Sequence, residues 1–261
     1  MSAKTATGSS HRVLAVSLIV VAVLVASLAA GEIYLRRQVE NCMASQFESQ
    51  LGSKVDVGLS WKPVLWQSID KKVPYVTLRS DDTSFGPAVG MNVDARINDV
   101  RLEQTPDSNG TVGSSTAEVQ WTTEGILATM AQQPFGSLIG NVTANPEAGT
   151  LTFSVGTGGL VDLEVRPFIT DNGAEKAVQV ETKSARILGF GLPTDLVDGV
   201  VQIITEALQD YPLGMTPTDI AVTDAGIEVS LAGGQYTLPA DDPTATTEEE
   251  PSGCGFLSAA S

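Results

Sequence analysis

The chain of 261 residues contains a single histidine, His11, and it lies in the N-terminal segment. That scarcity removes Ser-His-Asp triads, Cys-His nucleophile pairs and histidine-based metal sites from everything downstream. The motifs G-x-S-x-G, H-E-x-x-H, the P-loop and G-x-G-x-x-G are all absent. Basic residues are also few. Two of the 15, Lys4 and Arg12, precede residue 30, leaving 13 against 31 acidic residues that all follow it, a net of −18 for the body. Nucleic acid needs a basic face, so it is excluded as a partner. A broad polybasic docking surface for anionic lipid is excluded on the same ground. With two cysteines, Cys42 and Cys254, and no histidine beside them, a metal site is not expected. Two readings of the pair stand: a disulfide, which an oxidising compartment favours, or two unrelated thiols. A disulfide would close a loop of about 210 residues and contribute at most about 4–5 kcal/mol in the chain-entropy picture.

What the sequence has in plenty is one apolar run. Val13 to Ala30 is free of charge, with only Ser17 and Ser27 polar. Eighteen helical residues at about 1.5 Å each cover roughly 27 Å, close to a bilayer core. Its length favours a single-pass membrane anchor, with the body on the extracytoplasmic side; the alternative is an export signal cleaved after Ala29. The expected division is an anchor over residues 1–31, one folded domain over 32–238 and an acidic, disordered tail over 239–261 that carries Cys254.

Within the body, Ile33, Leu35, Val39, Met43, Phe47 and Leu51 recur at helical spacing. Val55–Leu59, Val73–Leu78, Ala88–Leu102, Ala117–Trp121, Leu138–Val142, Leu151–Val155, Leu160–Val165, Ala177–Val180, Ala185–Leu188 and the hairpin Ile220–Leu231 read as strands. Trp61–Ile69 is a mixed apolar stretch broken by Pro63, and Thr105–Ser115 reads as a loop. Thr122 or Thr123 caps a helix running to Gln132 with Glu124 in its first turn, and Thr194–Leu208 carries a wide apolar stripe. The pattern is α+β: an N-terminal transmembrane helix, then a long curved antiparallel sheet packed on amphipathic helices.

The run Trp61-Lys62-Pro63-Val64-Leu65-Trp66-Gln67-Ser68-Ile69, the strand Met91 to Leu102, Leu192-Pro193 before a helix, and Met215 to Leu231 together resemble the LmeA-like family of actinobacterial phospholipid-binding proteins. The resemblance covers most of residues 32–238. The chain departs from it at Asp70-Lys71-Lys72, where the family usually has a glycine after the helical turn. The resemblance implies a periplasmic protein at the inner membrane that binds phospholipid or another envelope lipid and supports lipoglycan (mannan) assembly. It also implies a distant relation to tubular lipid-binding domains, no enzymatic activity and no cofactor; protein partners are unknown. Candidate groove residues are Trp61, Leu65, Trp66, Ile69, Phe85, Met91, Trp121, Leu127, Met130, Phe135 and Phe153; plain core packing is the simpler reading of each, and Trp61 and Trp66, flanking a proline-broken turn, are the better groove candidates. Lys71 and Lys72 are candidates for a phosphate headgroup, or a solvated turn. A non-enzymatic envelope scaffold without a lipid groove is the rival reading.

Overall fold

The computed structural model describes residues 10–51, 54–85, 88–103, 105–156, 161–171, 176–187, 194–208 and 211–239. It opens with one uninterrupted helix, α1 (Ser10–Leu51, 42 residues), about 63 Å long at 1.5 Å per residue. The apolar run and the amphipathic stretch after it are therefore a single element. Side chains from Leu18 to Leu28 project away from the protein, whereas Val39 and Cys42 are buried. A helix that is apolar on every side and touches no protein has the length and composition to cross a membrane.

Past α1 the chain reverses. Strand β1 (Val55–Leu59) runs back antiparallel to the helix, and a short helix α2 (Val64–Asp70) follows where a mixed apolar stretch is expected from sequence. β2 (Lys72–Phe85) and β3 (Ala88–Arg101) form a long hairpin, paired from Lys72↔Arg101 to Phe85↔Ala88. β4 (Ser108–Val112) forms inside the segment expected to be a loop. β5 (Ser114–Thr122) pairs with β3 from Asn98↔Ser114 to Met91↔Trp121. The large sheet is completed by β10 (Thr216–Thr223), β11 (Gly226–Gly233) and β12 (Tyr236–Pro239). Its order is β1-β2-β3-β5-β11-β10, with β4 joining β3 to β12, every pair antiparallel.

A second sheet is a plain meander of β6 (Ile139–Asn145), β7 (Thr150–Val155), β8 (Val161–Asp171) and β9 (Lys176–Ile187). The strands expected from alternation thus divide between two sheets. Helix α3 (Thr123–Ala131) packs on β3 and β6, and α4 (Thr194–Ala207) on β9. The main core lies between these layers. It combines Met91 and Trp121 of the large sheet, Ile126 and Met130 of α3, Phe153 and Leu163 of the small sheet, and Val200 and Ile204 of α4. A second, smaller core (Val55, Val57, Val73, Val76) sits under the C-terminal half of α1.

The start of α3 shows why these residues form this junction. Thr122 Oγ1 accepts from Gly125 N at 3.1 Å, the N-cap expected from sequence. Gly125 lies so close to β3 that a Cβ there would meet the carbonyl oxygens of Gly90 and Val89 at 2.7 and 2.8 Å. Val89 is then held from both sides. Its N–H donates to Thr129 Oγ1 at 3.0 Å, and its carbonyl accepts from Trp121 Nε1 at 3.0 Å. Trp121 and Thr129 are both fully buried, so each bond satisfies a group that no water reaches. Replacing Trp121 by Phe should leave that carbonyl unsatisfied and open a gap in the core. Urea unfolding should show a loss of about 1–3 kcal/mol from the orphaned group, with more from the lost packing.

Candidate functional site

A polar stripe on α1 joins the apolar helix to the body. Glu32, Arg36, Glu40 and Glu48 recur at multiples of four, so they form a stripe that winds slowly around the helix, by about 40° for every four residues. β1 is the edge of the large sheet, and its outer backbone groups need partners. Glu40 Oε1 accepts from Leu59 N at 3.3 Å and Glu48 Oε1 from Val55 N at 3.4 Å. Arg36 donates to Leu59 O and to Lys62 O, both at 3.2 Å, and lies 4.0 Å from the Glu32 carboxylate. Glu32 Oε1 accepts from Val64 N at 2.5 Å. It thereby places a carboxylate at the first turn of α2, whose own N-cap, Pro63, supplies no side-chain bond.

Among its described side chains, α2 turns polar groups inward and apolar ones outward. Gln67, buried among the described positions, donates to Lys62 O at 2.6 Å and to the buried Ser60 Oγ at 3.3 Å. The outward positions are apolar: Trp66 is 63% exposed and Ile69 78%, with Trp61 just ahead at 79%. Lys71 ends the helix in the left-handed region, φ 53°, at the turn where the resemblance leads one to expect a glycine. Its carbonyl accepts from Leu102 N at 2.9 Å, which brings the exposed Leu102 to the same end of the body. Ile33 and Tyr34, on α1 beside Glu32, are exposed as well. Among the described residues that follow the apolar run, seven large apolar side chains are exposed, and all except Leu138 lie at this end.

Charge at this end is mixed. Lys62 pairs with Asp70 across α2. The Lys62 ammonium, aided by the Lys72 N–H, holds the Asp70 carboxyl below its ordinary value despite some opposing desolvation. That contribution is present above the ordinary carboxylate range and is lost as pH falls through the lowered value. Lys71, Lys72 and Arg37 are exposed. Elsewhere, burial pushes the Tyr211 phenol well up, with its hydroxyl donating to Leu208 O.

The residues singled out from sequence separate into three groups. Trp61, Trp66, Ile69, Lys71 and Lys72 come together around α2. Met91, Trp121, Met130 and Phe153 are 0–2% exposed inside the main core, with Leu127 and Phe135 packed against it. Phe135 lies so tightly over Gly199 of α4 that a Cβ there would meet its ring at 2.5 Å. Leu65 and Phe85 lie on α2 and β2, with side chains outside the described set. Cys42 is buried on α1, and Cys254 lies outside the described residues. Two depressions on the body, of about 210 and 340 Å³, are lined by polar groups such as Arg79, Asp94, Glu118 and Arg101, and by none of the sequence-selected residues. Sequence reasoning missed Glu32, Arg36, Ile33, Tyr34 and Leu102. The four-residue spacing of charges on α1 was the available signal for the first two.

A family model described as LmeA-like phospholipid-binding matches residues 26–232. Uncharacterized proteins of Mycobacterium tuberculosis and Mycobacterium bovis are 27% identical over 229 residues, covering 86% of this chain and 64% of theirs. The chain thus spans just under two thirds of the length of these curated relatives. No solved structure matches.

Arg36→Ala should loosen the end of β1 and the turn that leads into α2 without touching either core. Charge-assisted bonds of this kind are worth about 1.5–3 kcal/mol when buried, and less here because Arg36 is partly exposed. Hydrogen exchange should show loss of amide protection at Val64 to Gln67, with the core amides of β7 and β8 unchanged.

Proposed function

The chain belongs to the LmeA-like phospholipid-binding family, and from that premise we propose that it is a single-pass membrane protein whose body binds phospholipid on the extracytoplasmic side. The observation that carries this reading is the continuity of α1: one helix has a stretch exposed on all sides and a stretch bonded into the body, so the apolar run and the folded domain form one mechanical unit. The lipid contact is assigned to the α2 end. Trp61, Trp66 and Ile69 meet acyl or interfacial carbon, and Lys71 and Lys72 meet the phosphate. Each apolar methylene removed from water contributes about 0.8 kcal/mol, so such a contact needs no charged clamp to be favourable. The protein works by binding and not by catalysis, and it supports assembly of envelope lipid or lipoglycan. A disulfide between the buried Cys42 and Cys254 belongs to the same reading, since an extracytoplasmic body meets an oxidising compartment.

A second reading, a non-enzymatic envelope scaffold, is favoured by one observation: Met91, Trp121, Met130 and Phe153 are sealed in the core and line no groove.

Native mass spectrometry with lipidomics, on full-length protein gently extracted from its own host, separates the two. The first reading expects a mass that retains residues 1–30 and a stoichiometric phospholipid. A lipid-free mass with no uptake from added phospholipid vesicles overturns it in favour of the scaffold. Lys71→Gly with Lys72→Gln should reduce retention of anionic relative to zwitterionic phospholipid. Because glycine accepts the left-handed backbone at position 71, the fold should not weaken.

A further inference from the structure

We propose that the collar formed by Ile33, Tyr34, Trp61, Trp66, Ile69 and Leu102 seats the body on the interfacial layer of the same bilayer that α1 crosses, so that the domain docks on the membrane instead of swinging on a stalk. This rests on reading α1 as a retained anchor. The apolar run ends at Ala30; Glu32 of α1 bonds the first residue of α2, and Arg36 bonds Lys62 in the turn that leads into it. Those positions lie two and six residues beyond the run, about 3 to 9 Å along the axis. A bilayer of ~40–45 Å with a ~30 Å hydrocarbon core leaves an interfacial layer of roughly 5–8 Å on each side. The collar therefore falls at headgroup depth if α1 spans.

Its chemistry matches that depth. Tryptophan and tyrosine combine a large apolar body with one polar N–H or O–H, and they concentrate at membrane–water interfaces. Trp66 and Ile69 stand three apart on the outward side of α2, while the buried side is closed by Gln67 and Ser60. Gln67 is held by its own bonds within the body, so the exposed Trp66 and Ile69 are not needed to fix α2 and are left to meet a bilayer. The exposed Arg37, Lys71 and Lys72 accompany the collar in a body whose net charge is −18, which suits a layer of phosphate groups. The strand registers carry the argument further. β2 starts at Lys72 beside Arg101, at the collar, and pairing continues to Phe85↔Ala88 at the far end. The main core, built around Met91 and Trp121, is thereby held on the side of the body away from the bilayer.

The test uses the full-length chain and its three tryptophans. It is reconstituted into phosphatidylcholine vesicles carrying bromine on the acyl chains, and separately into detergent micelles with one molar equivalent of the same lipid. Docking expects the emission of Trp61 and Trp66 to fall about twofold or more in vesicles and hardly at all in micelles, since only a bilayer brings many brominated chains to the interface. The double variant Trp61→Phe, Trp66→Phe retains the buried Trp121, whose blue, unquenched emission reports an intact fold. Absence of quenching in vesicles overturns docking, including the case in which two copies of the chain cover the collar. Equal quenching in micelles at one equivalent also overturns it, because a single captured lipid then accounts for the contact. Phospholipid capture is read separately by native mass: lipid retained without vesicle quenching removes docking alone, and vesicle quenching without retained lipid removes capture alone.

Discussion

A sheet edge exposes backbone N–H and C=O groups that must find partners, and in this protein the partner of the β1 edge is the polar stripe of α1. Much else follows from that arrangement. Glu48, Glu40 and Arg36 satisfy β1 in turn as the chain runs back along the helix, and Glu32 satisfies the first turn of α2. The edge is closed to pairing with other chains. The same bonds fix the angle between an apolar helix and a folded domain, so α1 is structural in the body and apolar on every side beyond it.

The two cores divide the labour. The small core under α1 is four valines with half-buried neighbours, enough to hold the first hairpin against the helix. The large core, closed by Trp121, Phe153 and the α4 stripe, gives the domain its stability far from that attachment. Between them the long β2–β3 hairpin acts as the spine. Side chains at the two ends can therefore answer to different demands: close packing around Trp121, and an apolar surface around Trp66. The exposed collar is tolerated because Gln67, Ser60 and the Lys62–Asp70 pair hold α2 in place without needing its tryptophans.

Lys71 shows how a left-handed residue with a side chain is absorbed in structure. A left-handed residue after a helix is ordinarily glycine, and a side chain there costs about 1–2 kcal/mol. Here the turn is kept by the Lys71 carbonyl accepting from Leu102 and by the Asp70 carboxylate accepting from Lys72 N at 3.2 Å. The lysine places an exposed ammonium beside the collar.

The sequence by itself determined most of the elements and the long apolar helix that opens the chain. An uncharged run of eighteen residues, polar only at Ser17 and Ser27, reads as a helix apolar nearly all round, Thr122 caps α3 because a hydroxyl three residues ahead of a free N–H can reach it, and the absence of histidine after His11 removes the chemistry that needs one. It also carried the α+β class, because alternation of apolar residues survives any arrangement of the strands. The tertiary structure alone decided which apolar residues face inward. Trp121 and Trp66 are equally apolar in the sequence, yet one is sealed and the other open. Periodicity gives two faces to an element without saying which face a second layer will cover. The division of the strands into two sheets, the strand inside Thr105–Ser115, and the bonding of Glu32 to α2 and of Arg36 to the turn before it depend likewise on contacts between segments distant in the chain, whose partners no local pattern names.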